Sequence, residues 1–207
     1  MKTSIDFLIS EVHDLSKVKI IVFSRHGDKT PENHITLNCL KGIIENGMEG
    51  LDPRINVLQL GSACIRSTET AGAAALWISI NGGKISKYLP VDARLGSDKL
   101  FQDLYTPEIK EQMKANDWKN YEALSKANLD GLINFKIGVA AAVEKMFKKM
   151  RFGDIALSVS HSPTVEVAFN CFADPDQSDE KMQIYPCDGI ILIQMEIGKG
   201  LCIFAYR

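Results

Sequence analysis

The sequence predicts a three-layer α/β/α sandwich with a mostly parallel central sheet, and two observations lead to this prediction. Short apolar segments rich in β-branched residues alternate with longer segments of helical periodicity, which is the pattern of an α/β fold. Residues 18–23 are apolar except for Lys19, as in a strand that is buried on both faces and lies centrally in its sheet. With 207 residues, 45% of them hydrophobic, the chain is long enough for one such core, so we expect a single domain over residues 1–207.

Composition limits the classes of partner and the cellular setting. The net charge of −2 and the isoelectric point near 6.1 argue against a nucleic-acid partner, and no apolar run is long enough to span a membrane. The first residues lack the basic segment and cleavage site of a secretory signal. The cysteines are odd in number, scattered and without a C-x-x-C pair, which suits a reducing compartment, so we expect a cytoplasmic protein. They are Cys39, Cys64, Cys171, Cys187 and Cys202.

The first half of the chain reads as alternating helices and strands. Thr36 is a good N-cap, and Gly47 is placed to end the helix that follows in the left-handed conformation. The predicted elements are, in order, a helix over residues 3–15, the strand over 18–23, a helix between Thr36 and Gly47, a strand over 55–60 and a helix over 66–80.

The second half continues the alternation after a polar insertion. Residues 98–130 are polar and helical, and we interpret them as a cap or insertion over the sheet edge. Ser162 can cap the last helix, and Pro163 fits its first position. The other predicted elements are a strand over 85–91, a helix over 132–150, a strand over 155–160, a helix over 163–171, an acidic turn over 174–180 and a closing hairpin of 190–197 with 201–206.

Cationic and imidazole side chains follow three of the predicted strands. Arg25 and His26 come after the first strand, Arg66 lies at a strand-to-helix junction, and His161 ends the strand over 155–160. Because the carboxyl ends of parallel strands meet at one edge of the sheet, we expect these side chains to form one pocket. Arg66 opposes the dipole at a helix start, which calls for an anion, and a helix N-terminus follows His161.

This set of residues suits chemistry on a phosphomonoester. The substrate is dianionic, so a neutral imidazole can attack phosphorus only if nearby cations neutralise the phosphate oxygens. Arginine provides a planar fork of donors for this purpose, and His26 can take the phosphoryl group. No metal or cofactor is required. Taken singly, each residue has a plainer interpretation as a turn histidine or a solvated arginine.

Four motifs, in order along the chain, give the sequence its resemblance to a known family. They are Arg25-His26-Gly27, a T-x-x-x-G-like element in residues 35–42, the S-x-x-x-R-x-x-x-T-A pattern of residues 62–71, and Ser160-His161-Ser162. Together they resemble the histidine phosphatase superfamily, with its phosphoglycerate mutase-like fold, in its smaller phosphatase branch. The resemblance implies that His26 forms a phosphohistidine intermediate, that Arg25, Arg66 and His161 clamp the phosphate, and that water hydrolyses the intermediate.

Departures from the family pattern define the remaining candidates. Lys29 stands where the acid phosphatase branch carries a second arginine, and Ser162 follows His161 in place of that branch's Asp, so both are predicted to bind phosphate. Asp98 lies one residue beyond the usual general acid and is predicted to take that role; its alternative is the N-cap of a helix over residues 99–104. The tryptophan-containing loop of the cofactor-dependent mutases is absent, which argues against mutase activity.

The sequence therefore predicts a metal-independent phosphatase that hydrolyses a phosphomonoester through a phosphohistidine intermediate. Two alternatives stay open: a protein phosphohistidine phosphatase, because bacterial members of that group also begin Arg-His-Gly-Asp, and a catalytically weak phosphoryl-binding protein of the same fold. The expected partner is a phosphorylated small molecule or a phosphoprotein.

Overall fold

A six-stranded sheet forms the middle layer of the protein. The computed structural model describes residues 14–48, 50–59, 62–173 and 183–196, and the backbone of 201–206. In chain order the strands are β1 (Val18–Arg25), β2 (Val57–Gln59), β3 (Lys87–Leu89), β4 (Ile155–Ser160), β5 (Gly189–Met195) and β6 (Leu201–Tyr206). Their spatial order is β3-β2-β4-β1-β5-β6, with the first four parallel and β5 antiparallel to both of its neighbours. The predicted sandwich with a mostly parallel sheet is confirmed.

The first strand lies at the centre of this sheet, as its apolar sequence predicts. β1 pairs with β4 on one side and with β5 on the other. Successive side chains of a strand point to opposite faces. Ile21 and Phe23 accordingly belong to one buried apolar cluster, and Ile20 and Val22 to the other. β1 therefore joins both halves of the core.

Seven α-helices in the described residues cover the two faces of the sheet. They are α1 (Leu37–Asn46), α2 (Ile65–Ile80), α3 (Asp98–Leu104), α4 (Pro107–Asn116), α5 (Asn120–Ala127), α6 (Leu129–Lys149) and α7 (Thr164–Phe172). Short 3-10 turns occupy Leu15–Lys17 and Ala93–Leu95. Apolar residues of α1 and α2 pack with one cluster, and those of α3 to α7 with the other. No described helix is long and apolar enough to cross a bilayer.

Several local predictions need correction. β2 and β3 are shorter than predicted, because only their middle residues pair in the sheet. Gly47 ends α1 with a positive φ of 77°, but its ψ of −174° is not that of the left-handed helix. The helix predicted over residues 3–15, the acidic turn over 174–180 and the turn of the closing hairpin lie wholly or mostly outside the described residues, whereas β5 and β6 do pair as predicted.

The start of the last helix also differs from its prediction. Pro163, rather than Ser162, is the N-cap of α7, and no side chain caps this helix. The hydroxyl of Ser162 instead donates to Glu166 Oε1 over 2.7 Å. Glu166 is 1% exposed, and a buried carboxylate without hydrogen-bond donors costs free energy. This requirement explains why Ser162 does not cap.

Candidate active site

His26 lies at the carboxyl end of β1, and backbone contacts hold it in place. Its N–H donates to Ser160 O of β4 over 2.8 Å, and its Nδ1 lies 2.6 Å from Gly27 O. A carbonyl oxygen only accepts, so Nδ1 carries the proton and Nε2 has a free lone pair. Burial, aided by the positive charge of Arg66, lowers the pKa of His26 to about 4. The imidazole is therefore neutral at pH 7, as a nucleophile must be.

Arg66, in the first turn of α2, bridges the two histidines. Its Nε donates to His26 Nε2 over 3.0 Å, and its Nη2 lies 3.1 Å from His161 Nδ1. Since a guanidinium can only donate, both ring nitrogens that face it are unprotonated. The pocket predicted from three strand ends is thus formed by these residues, with one cation between two neutral rings.

His161, directly after β4, is held on all sides. Its Nε2 donates to the hydroxyl of Ser62 and lies 3.2 Å from Ser67 Oγ. The rings of Phe101 and His26 pack edge-on against it, with centroids 5.1 and 4.9 Å away. Burial and the neighbouring His26 lower the pKa of His161 to about 2. The ring is positioned rigidly and is uncharged in the absence of an anion.

Gly96 shows how closely the chain passes this histidine. A Cβ placed on Gly96 would lie 2.6 Å from His161 Cδ2, and its φ of 137° disfavours any other residue. The Arg94-Leu95-Gly96 segment, where the general acid was sought, therefore packs directly on the site.

Arg25 and Lys29 contribute charge to the pocket and have other direct partners. Arg25 Nη1 donates to Ile184 O over 2.5 Å, and its buried Nε has no partner within the described part of the chain. Lys29 Nζ donates to Asn33 Oδ1 over 3.2 Å. The charges of Arg25 and Lys29 both lower the pKa of His26. Arg25 therefore keeps one donor, its Nε, without a partner in the described chain. Lys29 lies in the loop that follows His26.

Ser162 and Asp98, the remaining candidates, are engaged elsewhere. Ser162 Oγ donates to Glu166 and accepts from Asn120 Nδ2 over 3.0 Å. Asp98 is the first residue of α3 and accepts from the thiol of Cys64 over 3.5 Å. Ser97 is the N-cap of α3, so the alternative prediction that Asp98 caps this helix is wrong. Cys64 is the N-cap of α2, which places Asp98 near the helix start that carries Arg66.

Residues missed from the sequence fix the geometry of the site. Thr70 accepts from the N–H of Gly27 over 3.1 Å, and Glu69 binds both His34 and the N–H of Ile35. Thr70 lies four positions after Arg66, hence on the same side of α2. This spacing could have identified Thr70 from the sequence. The contacts of Glu69 could not be predicted, because they form only when the loop that carries His34 and Ile35 is folded.

Glu166 was also missed from the sequence, and it is buried in contact with Ser162. Its Oε1 accepts from Ser162 and from the N–H of Ile184, while Oε2 has no partner in the described chain. Burial raises the pKa of this carboxyl, and the hydrogen bond from Ser162 opposes the rise. The carbonyl oxygen of Ile184 accepts from Arg25, and its N–H donates to Glu166. Glu166 therefore helps to position the guanidinium of Arg25 through Ile184.

Within the described ranges no group of three or more His, Cys, Asp or Glu side chains could hold a metal ion. The positive charges that act on His26 are those of Arg66, Arg25 and Lys29.

Comparison with known proteins shows the fold. No protein-family model and no curated protein matches the sequence. A solved phosphoserine phosphatase from Entamoeba histolytica, in complex with 3-phosphoglyceric acid, is 11% identical with a TM-score of 0.61, over 91% of this chain and 96% of that chain. A phosphoglycerate mutase from Bacillus anthracis is 13% identical with a TM-score of 0.57, over 92% and 93%. YhfR from Bacillus stearothermophilus is also 13% identical with a TM-score of 0.57, over 90% and 96%.

The chain therefore has the phosphoglycerate mutase-like α/β fold. The fold implied by the resemblance of the four motifs is confirmed. The chemistry of this chain is argued below from its own residues.

Proposed function

We propose that the protein is a phosphatase that hydrolyses a phosphomonoester through a phosphohistidine on His26. The observation that carries this proposal is the position of Arg66, which donates at once to His26 Nε2 and towards His161 Nδ1. An arginine held between two neutral imidazoles has no counter-ion in these contacts, and a phosphate dianion supplies one.

Substrate binding would redirect the donors of Arg66. In the free protein its Nε occupies the lone pair of His26 that must attack phosphorus. An arriving phosphate offers better acceptors than imidazole nitrogen, because its oxygens carry negative charge and match the planar fork of arginine donors. Moving the donors to phosphate oxygens frees Nε2 at the moment when phosphorus comes within reach.

The two chemical steps then follow from the placement of the rings. Nε2 of His26 attacks phosphorus, the bond to the ester oxygen breaks, and a general acid protonates the leaving alkoxide. Water next attacks the phosphohistidine, which releases phosphate and restores the neutral ring. Arg25 and Arg66 hold the phosphoryl oxygens through both steps. His161 joins them by binding a proton at Nδ1, its unprotonated ring nitrogen, as the phosphate arrives, and Lys29 and Ser162 are outer contacts. Asp98 is the proposed acid.

The helices over residues 98–127 give the proposal its expected substrate class. We infer that this segment is the cap of a single-domain enzyme, because α3 places Phe101 against His161 and α5 places Asn120 against Ser162. A phosphorylated small molecule fits a site bordered in this way. We propose hydrolysis rather than phosphoryl transfer between positions of a substrate, and a cytoplasmic setting in which the cysteines stay reduced.

Trapping of the intermediate tests the proposal. Brief incubation with ³²P-labelled substrate, followed by quenching, should leave label that is acid-labile and alkali-stable, as a phosphoramidate is. His26→Ala should remove both the label and turnover, since a covalent nucleophile is lost. His34→Ala is the matched control, because His34 contacts Glu69 outside the pocket, and it should label normally. Equal labelling of the His26 variant would disprove the proposal.

A protein phosphohistidine phosphatase is the second candidate, and the position of Asp98 favours it. The carboxylate of Asp98 is engaged by Cys64 rather than by either histidine ring in the contacts of the structure. An enzyme without a working acid would cleave phosphohistidine and aryl phosphates but not alkyl phosphates. Comparing these three substrates on the wild-type protein separates the two functions.

A further inference from the structure

Two free cysteines contact each other beside the strand end that carries the proposed nucleophile. Cys39 Sγ, in the first turn of α1, is 3.9 Å from Cys187 Sγ, in the turn before β5. The two residues are 148 positions apart in sequence and both are partly accessible to solvent. They contact each other only because the fold brings α1 and this turn together over Arg25-His26-Gly27.

Each thiol is coupled to the backbone around His26. A Cβ placed on Gly27 would lie 2.3 Å from Cys39 Sγ, so this sulfur rests directly on the residue after the nucleophile. Cys187 N–H donates to Arg25 O over 3.2 Å, and Arg25 N–H returns a bond to Asp188 O over 2.8 Å. Any movement of the two sulfurs towards each other therefore acts on the backbone on both sides of His26.

The backbone of Cys187 is a further indication that its side chain matters. Its φ is +67°, in the left-handed region where glycine and asparagine are favoured. Conformations of this kind cluster at functional positions, where surrounding structure holds them in place.

We propose that Cys39 and Cys187 form a reversible disulfide under oxidation by a hydroperoxide, and that this bond switches off turnover at His26. The loss of turnover rests on the proposed function, whereas formation of the bond does not.

The chemistry is balanced with a hydroperoxide as oxidant and a dithiol as reductant. Cys39 sulfur attacks the peroxide oxygen, which gives a sulfenic acid and, with hydrogen peroxide, one water. Cys187 sulfur then attacks the sulfenic sulfur and expels a second water, so that two electrons pass from the two sulfurs to the O–O bond. Burial and the adjacent Cys39 raise the pKa of Cys187 and so lower its reactivity, which leaves Cys39 as the thiol that meets the peroxide first. A dithiol reverses the step by exchange.

The geometry explains why the bond would affect catalysis. A disulfide needs the sulfurs about 2.05 Å apart, so the present separation of 3.9 Å must close by about 1.9 Å. That movement passes through Gly27 and Arg25 to the ring between them. Displacing a reacting group by about 1 Å can lower a rate by about 100-fold.

The test is peptide mapping combined with activity. The wild-type protein is treated with hydrogen peroxide, free thiols are alkylated, and a non-reducing digest is searched by mass spectrometry for a Cys39–Cys187 cross-linked peptide. We expect that peptide, together with a fall in hydrolysis of p-nitrophenyl phosphate of about 100-fold. Dithiothreitol should reverse both. Cys39→Ser and Cys187→Ser should form no cross-link and keep their own rates after peroxide.

Cys171→Ser is the matched control. Cys171 is also a partly buried free thiol, but it lies on α7 and contacts Lys136 O. This variant should behave like the wild type in both readouts.

Each outcome decides the proposal. Absence of the cross-link overturns it, and a cross-link with an unchanged rate overturns the switch. If the reduced protein hydrolyses no phosphate ester, the proposed function fails on its own; the cross-link is still mapped, and hydrogen exchange in the peptide that contains His26 shows whether the bond moves this segment. Unchanged exchange would then refute the switch.

Discussion

The two neutral histidines of the pocket make the folded protein sensitive to mild acid, and the size of the effect follows from their pKa values. His26 has a pKa of about 4 in the folded protein, against an ordinary value of 6.5. As the pH falls below 6.5 the unfolded chain binds a proton that the folded chain does not, so stability is full above that pH and is lost progressively towards pH 4. Between pH 7 and pH 5 this difference costs about 2 kcal/mol. His161 has a still lower pKa in the folded protein, and over the same pH range its protonation in the unfolded chain costs about the same stability, about 2 kcal/mol.

Urea unfolding at pH 7 and pH 5 measures this loss. We expect the wild-type free energy of unfolding to fall by about 4 kcal/mol from these two residues, and His26→Asn to fall by about 2 kcal/mol less than the wild type. His34 is present in both proteins, so its contribution cancels in the comparison. If wild type and variant lose equal stability over this range, His26 is not held neutral, and the account of its readiness as a nucleophile is wrong.

Three further predictions concern the phosphate, the acid and the metal. Arg66→Ala should lower kcat/KM on p-nitrophenyl phosphate by an amount equivalent to about 2–5 kcal/mol, because the phosphate loses a partly buried cation; an unchanged value would make Arg66 structural. Asp98→Asn should slow alkyl phosphates strongly while sparing p-nitrophenyl phosphate, whose leaving group needs no proton; an equal fall in both would show that Asp98 only supports the fold. A chelator should leave the rate unchanged, since arginine supplies the charge; a loss of rate that magnesium restores would contradict this.

The central features of the fold were predictable because they depend on local sequence. Val18 to Phe23 is apolar on both of its alternating faces, which only a central strand between two helical layers satisfies. The meeting of His26, Arg66 and His161 followed from a topological rule, since parallel strands end at the same edge.

Contacts made by single polar side chains were not predictable. Ser162 has the right residue type for a helix cap, but Glu166 competes for its hydroxyl once burial removes water. Ser62 and Ser67 fix the tautomer of His161 only when β4 and α2 are packed together. The contact between Cys39 and Cys187 likewise exists only in the finished fold. Such contacts depend on interatomic distances that must be correct to within tenths of an ångström, and a pattern of residue types does not specify them.

The position of β1 between β4 and β5 has a consequence for synthesis of the protein. During translation β1 emerges first, and both of its sheet partners come more than 120 residues later. Until they arrive, this apolar strand has two unpaired edges, the kind of surface that promotes aggregation between nascent chains. The contacts that β1 finally makes are of long range, which slows folding. The pocket therefore forms only after β4 has been synthesised, and a ribosome-bound chain stopped before Ile155 would display His26 and Arg66 without His161.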